Sequence, residues 1–393
     1  MLDSLGSLLA VATVAAVAPI LVALLPGRVP QVIVLILGGI LIGPNTFEIA
    51  DGKNIELFAN LGLGFLFLMA GYELDPSLLR QREGSLAIVG WLITVGLALG
   101  TVALLQSAGY VRAFVPISIA LTTTALGTLL PILRDNDMLG GRFGRYVFAS
   151  GAVGEMFPVI AIAIFLGTYN SIVEVIGIAA VGGAAFLLSV LPRYVADTKV
   201  GRIVEQGQDE TAQTTLRLTI VLLVALLFLS ERFGLDIVLG AFFAGMVLRR
   251  WRPGDVIGLE HKLDAVGYGF FIPVFFVSSG MNLDIGSIAE EPLRPLAFLG
   301  LLLLVRGVPT LFVFRKDLSH SRRTQLMLIS ATALPLLVAL AEIGVQNGSM
   351  LASNAAALVG AGVLSVAVFP LIAVRLQPEA LRDEEEVTDP PPT

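Results

Sequence analysis

The stretch AFLGLLLLVRGVPTLFVF, residues 297–314, is long enough to cross a bilayer and carries a single charge, Arg306, near its middle. A second apolar stretch, residues 146–166, carries Glu155 in a similar central position. An ionisable side chain inside hydrocarbon is costly, and it is rarely kept unless it pairs with another group or handles an ion. The two stretches therefore predict a membrane protein with charged groups at mid-membrane depth.

The rest of the chain has the same apolar character. Hydrophobic residues make up 56% of the 393 residues and charged residues 14%. Apolar runs recur along nearly the whole length, and about twenty apolar residues cross a hydrocarbon core of about 30 Å. The first run has no small-residue cleavage site behind it, so it is interpreted as a span and not as a signal peptide. Because the chain has no cysteine, disulfides and thiol chemistry are excluded.

Thirteen transmembrane spans are predicted, and the charges between them are asymmetric. With the N-terminus outside, the inner loops hold 20 Lys and Arg residues and the outer loops hold 4, while Arg306 completes the total of 25. Positive residues collect on the cytoplasmic side, so this split favours a cytoplasmic C-terminus in a prokaryotic cell membrane. The predicted spans are residues 5–25, 30–47, 56–74, 85–108, 113–134, 145–168, 171–192, 214–232, 235–250, 265–283, 295–315, 323–344 and 352–375.

Short internal matches connect three spans of the first half, spans 2, 3 and 5, with the spans seven places later. Because an offset of seven reverses the membrane orientation, the matches predict inverted-topology repeats, as in many secondary transporters. The alternative is a chance likeness between glycine- and leucine-rich helices. The matches pair residues 71–75 (GYELD) with 280–284 (GMNLD), 124–126 (TAL) with 332–334 (TAL), and 38–43 with 240–245. The predicted domains are a first six-helix repeat (1–168), helix 7 with a cytoplasmic connection containing a linker helix (169–213), a second repeat (214–376) and a disordered acidic tail (377–393).

Paired prolines and hydroxyl residues predict two interrupted helices near the midplane. Span 5 contains LTTTALGTLLP, residues 121–131, and span 12 contains ISATALP, residues 329–335. Pro131 and Pro335 each lack the N–H that would satisfy a carbonyl one turn earlier. Inside a membrane such a carbonyl needs a partner, and a cation or water in a protein-lined cavity would supply one. The other interpretation is that each Thr or Ser bonds to its own helix or to a neighbouring helix.

Glu155 lies about 15 Å of helix rise from Arg145 at the cytoplasmic end of span 6, and Arg306 reaches a similar depth from the other side. Pro158 frees the carbonyl of Gly154, the residue just before Glu155. A carboxylate placed between desolvation and a nearby cation can alternate between holding a proton and holding a metal ion. The competing interpretation is a permanent Glu155–Arg306 ion pair with only a structural role, although buried ion pairs stabilise weakly compared with apolar packing.

These motifs resemble those of the monovalent cation:proton antiporters, in the branch of Kef-like and NapA-like proteins. The motifs that carry the resemblance are GGILIGP (38–44), FLFLMAGYELD (65–75), TTTALGTLLPIL (122–133) and FFVSSGMNLD (275–284), and the likeness extends to about Val374. It implies an all-α polytopic fold with crossed broken helices. It also implies a homodimer and an elevator-like movement of a core domain against a dimerisation domain.

The resemblance assigns roles to individual residues. Glu155 matches the essential acidic residue of span 6, but relatives place Asp, Asn or Gln before an Asp where this chain has Gly154 and Glu155. With one carboxylate where electrogenic relatives have two, electroneutral exchange is expected. Arg306 matches the span 11 position of Lys or Arg, and it would be a fixed counter-charge because arginine keeps its proton. Independently of the resemblance, the hydroxyls of Thr123, Thr124 and Thr332 are expected to complete the site with Gly154. Glu342 lies near the outer surface and is either a gate or an ordinary interfacial residue.

The sequence therefore predicts an antiporter that exchanges Na⁺ or K⁺ for H⁺. Two other functions remain open: symport of an organic anion held by Arg306, and a membrane sensor or scaffold without transport. No nucleophile–base set, metal-ligand spacing or phosphate loop points to an enzyme, and no cofactor, nucleotide-binding domain or nucleic-acid partner is expected. The discriminating residues are Glu155 for antiport and Arg306 for anion symport.

Overall fold

The structure is a computed structural model that describes residues 2–24, 30–73, 77–134, 136–166, 171–195, 213–251 and 256–377. Within these ranges every regular element is a helix, and each of the predicted spans contains one. The main helices are α1 Leu2–Leu24, α2 Gln31–Ile42, α3 Glu56–Glu73, α4 Arg82–Ser107, α5a Phe114–Ala120, α5b Leu126–Arg134, α6 Gly141–Phe165, α7 Ser171–Val195, α8 Thr214–Arg232, α9 Ile237–Trp251, α10 (Val256–Val266, Gly267–Phe271 and Ile272–Met281), α11 (Leu293–Leu301, Leu302–Gly307 and Val308–Val313), α12a His320–Ala331, α12b Pro335–Gln346 and α13 Ala352–Arg375. Three short helices lie between them: Gly52–Asn54, Leu78–Arg80 and Ile285–Glu290.

The all-α polytopic fold class is confirmed. By length and composition alone, eight segments of the described chain are long and apolar enough to cross a membrane. Two further apolar stretches, α2 at Gln31–Ile42 and Ile176–Val190 within α7, are shorter. Most of the predicted linker helix in residues 193–213, and the predicted tail beyond Gln377, lie outside the described residues.

The chain divides into two compact units that do not follow the predicted repeat boundaries. The first unit contains residues 1–26, 31–74 and 163–283, and the second contains residues 27–30, 75–162 and 284–393. Each unit thus takes helices from both predicted repeats. The repeat boundaries themselves stay a prediction.

In the first unit, glycines allow two pairs of helices to touch backbone to backbone. A Cβ on Gly71 of α3 would lie 2.2 Å from the Phe242 carbonyl oxygen of α9, and one on Gly280 of α10 would lie 2.2 Å from the Ile36 carbonyl oxygen of α2. Gly71 and Gly280 are matched residues of the internal repeat. The α3–α9 contact is therefore repeated as the α10–α2 contact, which is the arrangement that inverted repeats predict.

The second unit packs around buried side chains from α5b, α6, α12a and α13. Leu129, Val147, Leu326 and Phe369 belong to one continuous apolar cluster. This packing holds the interrupted helices α5 and α12 against α6, and all the candidate site residues lie in this unit.

A polar group fixes one end of the second unit. Asp317, in the loop between α11 and α12a, accepts from Arg82 at 2.9 Å and from Arg142 at 3.3 Å, and its side chain is 4% exposed. Burial favours the neutral acid, but the hydrogen bond and positive charge of Arg82, together with Tyr146 and Arg142, hold the pKa of Asp317 below its ordinary value. The ionised carboxylate thus connects the starts of α4 and α6 with this loop.

The two predicted interruptions are present, but only the one in span 12 is bounded by its proline. In span 12 the helix ends at Ala331 and restarts with Pro335 as the first residue of α12b, where its missing N–H costs no helical bond. In span 5 the break occupies residues 121–125, and Pro131 lies inside α5b. Pro131 therefore does not mark the break, contrary to the simplest interpretation of the sequence.

Candidate functional site

Glu155 lies on α6 beside the break in α5. Its Oε1 atom accepts the backbone N–H of Leu126 at 2.8 Å and that of Gly127 at 3.4 Å. The first N–H groups of a helix have no partner within the helix and carry partial positive charge, so a carboxylate there stabilises the helix start. The break in α5 therefore ends, and α5b begins, at the carboxylate of Glu155.

The broken segments of α5 and α12 meet directly. The N–H of Ala125 donates to the Thr332 carbonyl at 2.8 Å, and the Thr124 hydroxyl donates to the Ser330 carbonyl at 2.7 Å. The N–H of Thr124 donates to the Gly154 carbonyl of α6 at 2.9 Å. Backbone groups released by both interruptions are satisfied by the opposite break or by α6, which is how irregular backbone persists at membrane depth.

Arg306 joins this meeting point from α11. The residue is 3% exposed, and its guanidinium donates from Nε to the Thr124 hydroxyl at 3.0 Å and from Nη2 to the Ser150 carbonyl at 2.9 Å. It lies in a π-helical segment, Leu302–Gly307, just before Pro309. Proline cannot donate to a carbonyl one turn earlier, so a widened turn relieves its clash with the preceding turn. Such wide turns occur often at functional sites.

Gly154 is the residue that gives Arg306 its space. A Cβ on Gly154 would lie 2.5 Å from the Thr124 hydroxyl oxygen and 2.7 Å from Arg306 Nη2. Both separations are shorter than real Cβ contacts. The position before Glu155 therefore cannot carry a side chain while Arg306 holds its bonds to Thr124 and Ser150.

Thr123 and Thr332 are fully buried, but their hydroxyls bond to their own helices. Thr123 donates to the Ala120 carbonyl at 2.8 Å, and Thr332 donates to the Leu328 carbonyl at 2.9 Å. This matches the plainer of the two interpretations of membrane threonines. Each oxygen still keeps a lone pair, so neither bond prevents the hydroxyl from accepting a ligand.

Three further buried hydroxyls lie near these segments, and of these only that of Ser330 was among the hydroxyls that the sequence grouped at the breaks. Ser118, Ser150 and Ser330 are buried, and among the described residues their hydroxyl oxygens have no hydrogen-bond partner. Buried hydroxyls of this kind commonly hold ordered water. The only sequence signal for Ser150 is its place one helical turn before Gly154, and Ser330 lies within the ISATALP motif.

Ser365 of α13 also went unrecognised in the sequence. Its hydroxyl accepts the Ala333 N–H at 3.1 Å and lies 3.0 Å from the Ala333 carbonyl. It satisfies backbone that the break in α12 leaves without a helical partner. No sequence pattern distinguishes it from other serines in a helix rich in small residues.

Glu342 is not brought to the meeting point of the breaks. It lies seven residues beyond Pro335 on α12b, about 10 Å of helix rise away. Its side chain is half-buried and accepts from Gln346 at 3.4 Å. Across the described residues, no group of three or more His, Cys, Asp or Glu side chains could hold a metal ion.

Helices interrupted in pairs at membrane depth, with one carboxylate and one arginine at their crossing, define a multi-pass membrane protein of the secondary-transporter class. Residues 11–376 match the family model described as sodium/hydrogen exchanger, transmembrane. The chain belongs to this family of monovalent cation:proton antiporters.

Individual curated relatives share about a quarter of their aligned residues with this chain. YjbQ of Bacillus subtilis (strain 168), named for Na⁺/H⁺ antiport, is 25% identical over 418 aligned residues that cover 98% of this chain and 65% of the relative. The glutathione-regulated potassium-efflux protein KefC of Enterobacter sp. (strain 638) is 26% identical over 70% of this chain and 44% of its own length. The chain thus spans less than two thirds of these relatives.

A solved structure confirms the fold. The sodium proton antiporter MjNhaP1 from Methanocaldococcus jannaschii at pH 8 aligns with 97% of this chain and 98% of its own, with a TM-score of 0.67 and 17% identity. At that identity the likeness concerns the fold alone.

Proposed function

We propose that this protein is a secondary active antiporter that exchanges a monovalent cation, Na⁺ or K⁺, for H⁺. The observation that carries the proposal is the position of Glu155, whose half-buried carboxylate lies at the meeting point of two broken helices that also holds Arg306. The names of YjbQ and KefC support the same class of activity, with Na⁺ in one and K⁺ in the other. No enzymatic step is assigned.

The exchange rests on one carboxylate that holds either a proton or a cation. With the cation bound, the Thr123 and Thr332 hydroxyls, released carbonyls and water would complete its oxygen shell around Glu155. The space beside Gly127, where a Cβ would meet no atom within 4 Å, leaves room next to the carboxylate. Thr124 serves differently, because its hydroxyl already bridges Arg306 and the Ser330 carbonyl. We assign it the role of placing the fixed positive charge.

The exchange is proposed to be electroneutral, one cation for one proton. Gly154 supports this stoichiometry, because Thr124 and Arg306 occupy the space that a second acidic side chain would need. With one carboxylate and a permanently charged arginine, the site has the same net charge with a cation as with a proton. The membrane potential then does no work on the cycle.

The second unit, which carries the whole site, is proposed to move in an elevator-type cycle within a homodimer. We propose that the N-terminus lies outside and the C-terminus in the cytoplasm of a prokaryotic cell, and the 20 to 4 distribution of positive residues supports this orientation. Glu342 remains a candidate gate, at a distance from the cation.

The test uses purified protein in liposomes that contain a pH-sensitive dye. Na⁺, K⁺ and Li⁺ are added in turn, with and without a clamped membrane potential. Cation-dependent proton flux is expected in the wild type, independent of voltage, and absent in Glu155→Gln. Flux that persists in Glu155→Gln would place the exchange site elsewhere. If added Na⁺, K⁺ or Li⁺ causes no proton flux, and an organic anion binds to the wild type but not to Arg306→Gln, the anion symporter is favoured.

A further inference from the structure

The start of α5b lies within hydrogen-bonding distance of the proposed cation ligand. One atom, Glu155 Oε1, accepts both the Leu126 N–H at 2.8 Å and the Gly127 N–H at 3.4 Å. The helix α5b, Leu126–Arg134, has nine residues, so its first turn presents N–H groups without partners inside the helix and the positive end of a helix dipole. The carboxylate thus interacts with positive charge before any cation arrives.

The opposite half-helix is built differently. The helix α12b begins with Pro335, which has no N–H, and the preceding residue Leu334 provides no side-chain cap. Of the two half-helices that follow the breaks, the one beside Glu155 is therefore the one that a carboxylate caps. Capping by Glu155 is a particular feature of α5 and is not a general consequence of interrupting a helix.

We propose that the N-terminus of α5b is an internal third ligand of Glu155, which takes the carboxylate when the site holds neither cation nor proton. This proposal rests on the proposed antiport. A bare carboxylate in a membrane is costly, and the two N–H groups stabilise it between the release of one substrate and the binding of the other. In this proposal the cation draws Oε1 away from the Leu126 N–H, so the cap and the cation compete for the same oxygen.

The length of the side chain matters for this competition. Glutamate has one methylene group more than aspartate, and Oε1 already lies at full hydrogen-bond contact with the N–H of Leu126. An aspartate on the same α6 backbone would place its oxygens farther from α5b. The Leu126 and Gly127 amides are therefore positioning groups that set how tightly the cation is held.

Amide hydrogen exchange of peptides covering residues 121–134, followed by mass spectrometry, tests the competition without any transport. In the wild type, Na⁺ or K⁺ is expected to increase exchange at the start of α5b relative to choline, because the carboxylate leaves the two N–H groups. In Glu155→Gln the amide oxygen can still accept these bonds but binds no cation, so no cation effect is expected. Unchanged exchange in the wild type at saturating cation would overturn the proposal.

The variant Glu155→Asp separates the cap from the charge. Its backbone amides in residues 121–134 should exchange faster than those of the wild type even in choline, where no cation competes. Because a helix cap is worth about 1 kcal/mol, its half-saturating cation concentration for transport should fall about fivefold. Glu290→Asp, the same change at an exposed helix end, is the matched control. It should alter neither the amide exchange of residues 121–134 nor the half-saturating cation concentration. A half-saturating concentration that rises or stays unchanged in Glu155→Asp would contradict the competition.

The two proposals fail in different ways. Wild-type proton flux with no cation effect on the exchange of residues 121–134 would remove the internal ligand and leave antiport intact. A cation effect on exchange without any proton flux in liposomes would leave the cap standing and remove antiport.

Discussion

Arg306 Nη2 lies 2.7 Å from the point where Gly154 would carry a Cβ. The guanidinium thus occupies the space in which the residue before Glu155 would place a side chain. A single contact connects two features that are far apart in the sequence, the missing second carboxylate of α6 and the buried charge of α11. The absence of a side chain at one position allows the positive charge at the other.

Gly154→Ala should disturb this arrangement. The methyl group would meet Thr124 and Arg306, and forcing extra volume into a packed site costs about 1–3 kcal/mol. A lower melting temperature and a large loss of cation-dependent flux are expected. Gly300→Ala in α11 is the control, because its Cβ would meet nothing within 4 Å. Wild-type stability in Gly154→Ala would show that the guanidinium is free to move aside.

Arg306→Lys should keep the charge and lose the geometry. One ammonium group on a different stem does not reproduce the divergent bonds from Nε to Thr124 and from Nη2 to the Ser150 carbonyl. Leaving a buried acceptor unsatisfied costs about 1–3 kcal/mol. The melting temperature and the liposome flux of Arg306→Lys should both fall. Arg306→Gln should lose more flux, because it also removes the charge. Equal flux in Arg306→Lys and wild type would reduce the role of Arg306 to charge alone.

Asp317→Asn should destabilise the second unit in a pH-dependent way. The pKa of Asp317 is lowered in the folded protein, so the ionised carboxylate contributes stability at neutral pH that is lost as the pH falls below its ordinary value of 3.8. Melting temperatures should differ between wild type and Asp317→Asn at pH 7, and the difference should shrink in acid. Because Arg82 and Arg142 are largely exposed, added salt should also reduce it. Glu290→Gln serves as an exposed control.

Gly71→Ala and Gly280→Ala should be similarly damaging. Each added methyl would lie 2.2 Å from a backbone carbonyl oxygen of the facing helix, and backbone yields less readily than a side chain. Both variants should lower the melting temperature and the yield of folded protein, by about 1–3 kcal/mol or more in stability. Gly183→Ala in α7, whose Cβ meets nothing within 4 Å, should be neutral. A large effect from only one of the pair would argue against equivalent crossings in the two repeats.

Much of the fold was predictable because membrane folding leaves strong local signals. Apolar run length predicted the helices, and repeated motifs predicted which contacts recur, as the matched crossings at Gly71 and Gly280 show. Pro335 predicted the break in α12, because a proline at the first position of a helix has a local backbone reason. Pro131 did not predict the position of the break in α5, because that break is fixed by contacts with α6 and α12 and not by the proline.

The sequence by itself determined that this chain is an all-helical membrane protein with Glu155 and Arg306 at membrane depth. Hydrophobicity, charge and glycine spacing act over a few residues and can be read along the chain. The tertiary structure alone decided which groups those two charges contact, with the N–H groups of Leu126 and Gly127 around Glu155 and Thr124 with Ser150 around Arg306. Those contacts join residues up to 182 positions apart, and they form only when interrupted helices must satisfy their released backbone groups within the protein.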